Sequence, residues 1–301
     1  MKRKYLIGCA LAATLCAGPA LAEELTGTLK NIKETGAITI GYRESSVPFS
    51  YLDDSQKPIG FAMDICYKIV DAVKKELKLD KLEIKLNPVT SSTRIPLLAN
   101  GTVDLECGST TNNLERQKQV SFTITHFVTA NRFVSKKSAN LKTVDDLKGK
   151  TVVSTSGTTN IKQITEIGAQ KGLNLNILAA KDHAEAFLMV ETGRAAAFVM
   201  DDILLYSLVA AAKSPQDYVI SVDALSVEPY GIMLRRDEAP FKKVVDEAMI
   251  ATYRSGAINP IYDKWFLKPI PPKGLNLNVP MSDAFKKVIA SPTDSGDPAV
   301  Y

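Results

Sequence analysis

The chain has 301 residues, 45% of them apolar and 23% charged, with a formal net charge of +4. Its first 22 residues hold Lys2, Arg3 and Lys4 and no acid, so the remainder balances 34 basic against 33 acidic side chains. A nearly neutral body offers no electrostatic basis for binding nucleic acid or an anionic membrane, and its length is enough for two domains, each with its own core.

The basic opening is followed by an apolar run over residues 5–16 and by the small-residue pattern Ala20-Leu21-Ala22 before Glu23. This is the layout of a signal peptide over residues 1–22, removed on export, and it predicts a soluble periplasmic protein. The run is shorter than the roughly 18–20 apolar residues of a membrane span. A lipoprotein anchor on Cys9 or Cys16 is the competing reading. Cys9 leaves too short an apolar region before it, and Cys16 follows Thr14-Leu15 rather than small residues. Two cysteines remain after cleavage, Cys66 and Cys107. In a compartment where disulfides persist a bond between them is expected, the alternative being two buried thiols.

Residues 37–42 form a short β-rich run. Residues 61–77 place Ile65, Ile69 and Val73 on one helical face, and residues 82–86 alternate like a strand. Residues 103–107 predict a strand before a helix beginning near Asn113, and residues 150–154 a strand before a helix beginning near Thr158. Phe187 falls in a helix that precedes a strand over residues 196–200. Such alternation predicts an α/β fold of mainly parallel sheets covered by helices on both faces. Crossings between two lobes are expected near residues 129–132 and 227–231. The stretch 291–298, rich in Ser, Pro, Asp and Gly, reads as a loose end.

Three segments carry more than secondary structure: VDLECGSTTNNLERQKQVSFTITHF, GYRESSVPFSY and VVSTSGTTN. Together they resemble the periplasmic solute-binding proteins, family 3, that serve ABC importers of polar amino acids, and the extra basic positions resemble the glutamate/aspartate branch. The resemblance spans nearly the whole exported chain. It implies a two-lobed periplasmic-binding-protein fold of type II with the ligand in the cleft. One lobe comprises residues 23–129 and 228–301, and the other, residues 130–227, is inserted. It also implies no catalysis, no cofactor, a monomer, and partnership with an inner-membrane permease that receives L-glutamate or L-aspartate.

The residues make physical sense of such a site. An α-amino acid presents a carboxylate and an ammonium one carbon apart, so the pocket needs a planar cation beside acceptors. Arg116 suits a bidentate grip on the α-carboxylate, with Asn112 or Asn113 able to cap the segment that carries it. Ser109 and Thr111 match the family positions that accept from the ammonium. A capped surface helix with Arg116 in water is the plain alternative. In STSGTTN, Gly157 permits a tight turn, and Thr158 and Thr159 open a helix whose free amides favour an anion. The stretch lacks the ending of a phosphate-binding loop.

Asp201 matches the family acid that pairs with the ligand ammonium, although an Asp at a strand end is commonly a helix cap. Arg43, Arg94 and His183 stand where the branch places cations, with Ser91 as a donor to the distal carboxylate. A solvated surface charge is the ordinary fate of each of these arginines. Three arginines against Asp201 count as +2 with His183 neutral, a surplus suited to an anionic ligand. An exported enzyme on the same scaffold, dehydratase-like, is the runner-up, but Asp202 has no evident partner and the histidines lack a nucleophile pattern. A sensory module would carry a membrane segment. Zinc spacing is absent.

Overall fold

The computed structural model describes residues 25–301, so the expected leader, residues 1–22, and its two cysteines lie outside the described residues. Two sheets organise the molecule. The first has five strands in the order Glu83–Pro88, Ala37–Tyr42, Leu105–Cys107, Met233–Arg235 and Val120–Phe122. Its first three strands are parallel, and the last two run antiparallel to their neighbours. The second sheet runs Asn176–Ala180, Thr151–Thr155, Ala197–Asp201, Phe127–Lys136 and Tyr218–Ile220, with Ser226–Tyr230 also paired to Phe127–Lys136. Its first three strands are parallel and Phe127–Lys136 is antiparallel to them.

These elements follow from side-chain spacing. In Ala37–Tyr42, Ile38 and Ile40 are fully buried at the two-residue period of a strand. In the helix Phe61–Glu76, the residues Phe61, Ile65, Ile69 and Val73 recur at four and are buried on the sheet side. Asp64 lies in its first turn and Lys74 and Lys75 in its last, each sign matching the helix dipole. Glu83–Pro88 is an edge strand, which is why Ile84 and Leu86 of an alternating sequence are exposed. Cys66 and Cys107 are bonded, with Cα atoms 6.3 Å apart. The bond ties the helix Phe61–Glu76 to the central strand Leu105–Cys107 that leads into the polar GSTTNN loop.

The chain passes from the first sheet to the second through residues 123–126 and returns through residues 231–232, between paired strands. Around this passage Phe49, Phe61, Phe127, Tyr230 and Phe266 pack edge to face or stacked, a rigid apolar plug under the cleft. Among the described residues no helix is long and apolar enough to cross a membrane.

Two expectations need correction. No α-helix begins near Asn113: the chain makes turns and one short 3₁₀ segment, Arg116–Lys118. Thr111 is held extended by a bridge to Tyr230, and the polar side chains of Asn112 and Asn113 take up backbone and side-chain groups that a helix would have paired internally. Residues 291–298 are not a loose end either. They pack against the first lobe through backbone carbonyls at Thr293 and Asp294 and an ion pair from Lys242 to Asp294 at 2.8 Å.

Candidate functional site

The strand ends of both sheets face one another across the cleft. From the first sheet, Arg43 follows Ala37–Tyr42, Ser91 and Arg94 lie at the helix Arg94–Ala99, and Ser109, Thr111 and Arg116 lie on the loop after Leu105–Cys107. From the second, Thr158 and Thr159 open the helix Thr159–Gln170, His183 opens His183–Glu191, and Asp201 ends Ala197–Asp201. All ten positions come together. Nine of them are buried, and Thr159 is half-buried. Eight line one polar cavity, which in this closed arrangement leaves only about 10 Å³ free. Arg43 and Arg116 support its walls, donating to Ser91 Oγ at 2.8 Å and to the Thr111 carbonyl at 2.8 Å.

The lobes touch. Arg116 Nη2 donates to the Gly157 carbonyl at 3.2 Å. Thr111 and Thr159 hydroxyl oxygens lie 3.5 Å apart, and Lys162 pairs with Glu115 at the rim. Gly157, at φ +77°, sits where an added Cβ would come 2.6 Å from the Ser92 Cα. Only a residue without a side chain allows that approach.

Three residues lining the cavity each carry a buried polar atom with no partner, Arg94 Nε, Ser109 Oγ and His183 Nε2, and behind the lining Arg43 Nη1 and Glu106 Oε1 have none either. Native interiors rarely leave such groups unpaired. His183 Nδ1 is 2.8 Å from the Thr155 hydroxyl, which leaves Nε2 as the free end of the ring. Burial, then Arg43 and Arg94, hold its pKa well below the ordinary value, so the ring is neutral.

A scan of the chain against protein families matches residues 38–268 to the bacterial extracellular solute-binding proteins, family 3. This chain belongs to that family. An L-glutamate/L-aspartate-binding protein of Pseudomonas aeruginosa is 58% identical to this family member over 290 residues, covering 96% of each chain. A glutamate/aspartate import solute-binding protein of Escherichia coli is 46% identical over 288 residues, covering 94% of this chain and 95% of the relative. Among solved structures, a mutant of ArgBP from T. maritima superposes with a TM-score of 0.70 at 27% identity, spanning 79% of this chain and 98% of that one. The fold is the two-lobed α/β architecture expected for such solute-binding proteins.

The charge count in this family member differs from the sequence reading. Glu106 and Glu228, both buried, join Asp201, so three arginines meet three carboxylates and the expected +2 surplus is absent. Glu106 accepts from the Thr110 hydroxyl at 2.6 Å, which itself receives Arg94 Nη1 at 2.6 Å. Glu228 accepts from Thr159 and Gln163. A glutamate inside the apolar strand sequence VDLEC was the available signal for Glu106, whereas Glu228 showed none beyond its place near a crossing. Tyr230 and Asn160 were also missed, and both donate to Asp201, Asn160 at 2.7 Å.

Asp201 makes no cap hydrogen bond to the helix Asp202–Ala211 that follows it. Burial first, then Glu228, raise its pKa from 3.8 to about 7 against the two hydrogen bonds it accepts. Arg116 is lowered to about 9, by burial and then by Arg94, and so remains a cation at neutral pH. Asp202, without an evident partner in sequence, is held by Arg132 at 3.1 Å and by the Thr129 hydroxyl at 2.5 Å.

Proposed function

We propose that this protein binds L-glutamate and L-aspartate between its lobes and, by cleft closure, delivers them to the inner-membrane permease of an ABC importer. The observation that carries this reading is the set of unpartnered polar atoms on Arg94, Ser109 and His183, with Arg43 behind them, at one polar cavity bounded by Asp201. A buried polar group without a partner costs about 1–3 kcal/mol. A ligand with two carboxylates and an ammonium supplies the matching set, and the names of the two relatives favour the same ligands.

In this reading Arg116 grips the α-carboxylate. Two of its five N–H groups are spent on the carbonyls of Thr111 and Gly157, and three remain for the ligand. The free amides at Thr158 and Thr159 lie at the positive end of the helix Thr159–Gln170 and share that load. Ser109, Thr111 and Asp201 take the ammonium. Arg43, Arg94, Ser91 and the His183 Nε2 meet the distal carboxylate. Closure engages the lobe built on the first sheet with the inserted lobe built on the second, so occupancy becomes a change of shape.

The same proposal has the protein act as a periplasmic monomer without turnover. Asp202, the second acid a dehydratase-like site would need, is engaged by Arg132 and Thr129. His126 packs among Phe49, Phe61 and Tyr230 instead of lining the cavity. Calorimetric titration with glutamate, aspartate, glutamine and asparagine tests the reading. Both acids should bind at least tenfold more tightly than their amides, with no ligand consumed. Equal affinity for glutamate and glutamine would remove Arg43, Arg94 and His183 from the site.

A further inference from the structure

Residues 291–301 follow the helix Asp283–Ala290 and lie beyond the segment 38–268 matched to the family. They fold back across the outer side of the loop that carries Thr111 and Arg116. Asn112, fully buried, donates through Nδ2 to the Asp294 carbonyl at 2.8 Å and accepts at Oδ1 from Gln117 Nε2 at 2.9 Å. The same Gln117 nitrogen donates to the same Asp294 carbonyl at 3.0 Å. One carbonyl of the segment therefore fastens the loop at both ends. Between those ends Gly296 lies so close to the backbone that an added Cβ would come 2.7 Å from the Asn113 carbonyl carbon.

The residues so fastened set the geometry of Arg116. The Thr111 carbonyl accepts its Nη1, and Asn113 Oδ1 accepts its backbone N–H at 2.8 Å. The segment also reaches the passage between the sheets, at Thr293 and again at Tyr301. Thr125 N–H donates to the Thr293 carbonyl at 2.9 Å, and the Tyr301 hydroxyl lies 2.7 Å from Thr125 Oγ1 while donating to the Ser295 carbonyl at 2.8 Å. Binding loop and inter-lobe passage thus share one support.

We infer that segment 291–301 is a brace that positions Arg116 and so sets ligand affinity, an inference that rests on the proposed function for the identity of the ligand. The loop has little regular structure of its own, and without the segment the buried amide of Asn112 and the half-buried amide of Gln117 lose their common acceptor. A loop released in this way must be re-ordered when ligand binds, and that cost appears in the dissociation constant.

The test deletes residues 291–301 and, separately, makes Gly296→Val, whose side chain would push the segment off the loop. Titration with L-glutamate is read together with hydrogen exchange at the Arg116 and Gln117 amides and at Val153 in the second sheet. The deletion should unfold cooperatively yet bind glutamate at least tenfold more weakly, with faster exchange at Arg116 and Gln117 and no change at Val153. An added peptide of sequence 291–301 should restore both. A folded deletion with unaltered affinity and loop exchange overturns the brace. Should the deletion not fold, Gly296→Val decides between the same two results. An intact protein that ignores glutamate defeats the proposed function, and the exchange measurement still decides the brace.

Discussion

The guanidinium of Arg116 and the carbonyl of Gly157 meet across the cleft at 3.2 Å, while the same guanidinium holds the Thr111 carbonyl of its own loop at 2.8 Å. A single buried cation therefore joins both walls of the cavity and still has N–H groups to offer. Arg116→Ala should weaken glutamate binding by roughly 10- to 150-fold, the equivalent of about 1.5–3 kcal/mol for a hydrogen-bonded charge. Arg116→Lys should recover little, because an ammonium cannot reproduce the planar fork. Calorimetry on both variants checks this, and unchanged affinity in Arg116→Ala would falsify the carboxylate role.

Gly157→Ala should hold the cleft open. The added Cβ would fall 2.7 Å from the Ser91 carbonyl oxygen and 2.6 Å from the Ser92 Cα, with φ at +77°, a region that alanine disfavours. Small-angle scattering should show the wild type contracting on adding glutamate and the variant failing to do so. Its affinity should drop at least tenfold, because contacts from the second lobe are lost. Full contraction by the variant would mean that the lobes tolerate the added carbon.

Preference for glutamate over glutamine should depend on Arg43 and His183. Each has a buried, unpartnered nitrogen, and each is supported from behind, by Ser91 Oγ at 2.8 Å and Thr155 Oγ1 at 2.8 Å. Arg43→Gln and His183→Gln should each reduce the glutamate-to-glutamine affinity ratio by about tenfold, near one charge-assisted hydrogen bond. Using the ratio cancels any general loss of stability from leaving Glu106 less compensated. A ratio that stays at the wild-type value in both variants would assign the distal carboxylate elsewhere.

Binding should weaken on acidification through Asp201. Its carboxyl titrates near 3.8 when unfolded and at about 7 in the folded protein. Between those values the folded state keeps a proton the unfolded chain has lost, so this group's contribution to stability declines as pH rises through that window. An ammonium placed against Asp201 requires the ionised form, and binding must expel the proton below pH 7. Glutamate affinity should fall about tenfold per pH unit from 7 toward 5, with proton release visible as buffer-dependent heat. Asp201→Asn should bind more weakly at pH 8 and show little slope. A slope that survives this substitution would point to another titrating group.

Much of this architecture was legible in local patterning. The β-rich apolar run Ala37–Tyr42 and the four-residue period from Phe61 to Val73 arise from steric and hydrophobic terms that act within a few residues, so sequence alone determined the alternating α/β order. Motif residues likewise pointed to the SGTT helix opening, which the structure has at Thr159–Gln170, and to Arg116 and Asp201, which it buries at the cleft. Contacts between distant segments had no such local signature. Glu106 and Glu228 enter the site only because the strands carrying them converge at the cleft, and their charges cancel the surplus that counting arginines implied. Residues 291–298 look disordered by composition, yet backbone carbonyls, which composition does not describe, anchor them to Asn112, Gln117 and Thr125. The turn at Asn113 and the burial of Asp201 were decided in the same way, by residues distant in the chain and a few ångströms apart in space, Asp294 for the loop and Asn160 and Tyr230 for Asp201, where desolvation and hydrogen bonding outweigh local preference.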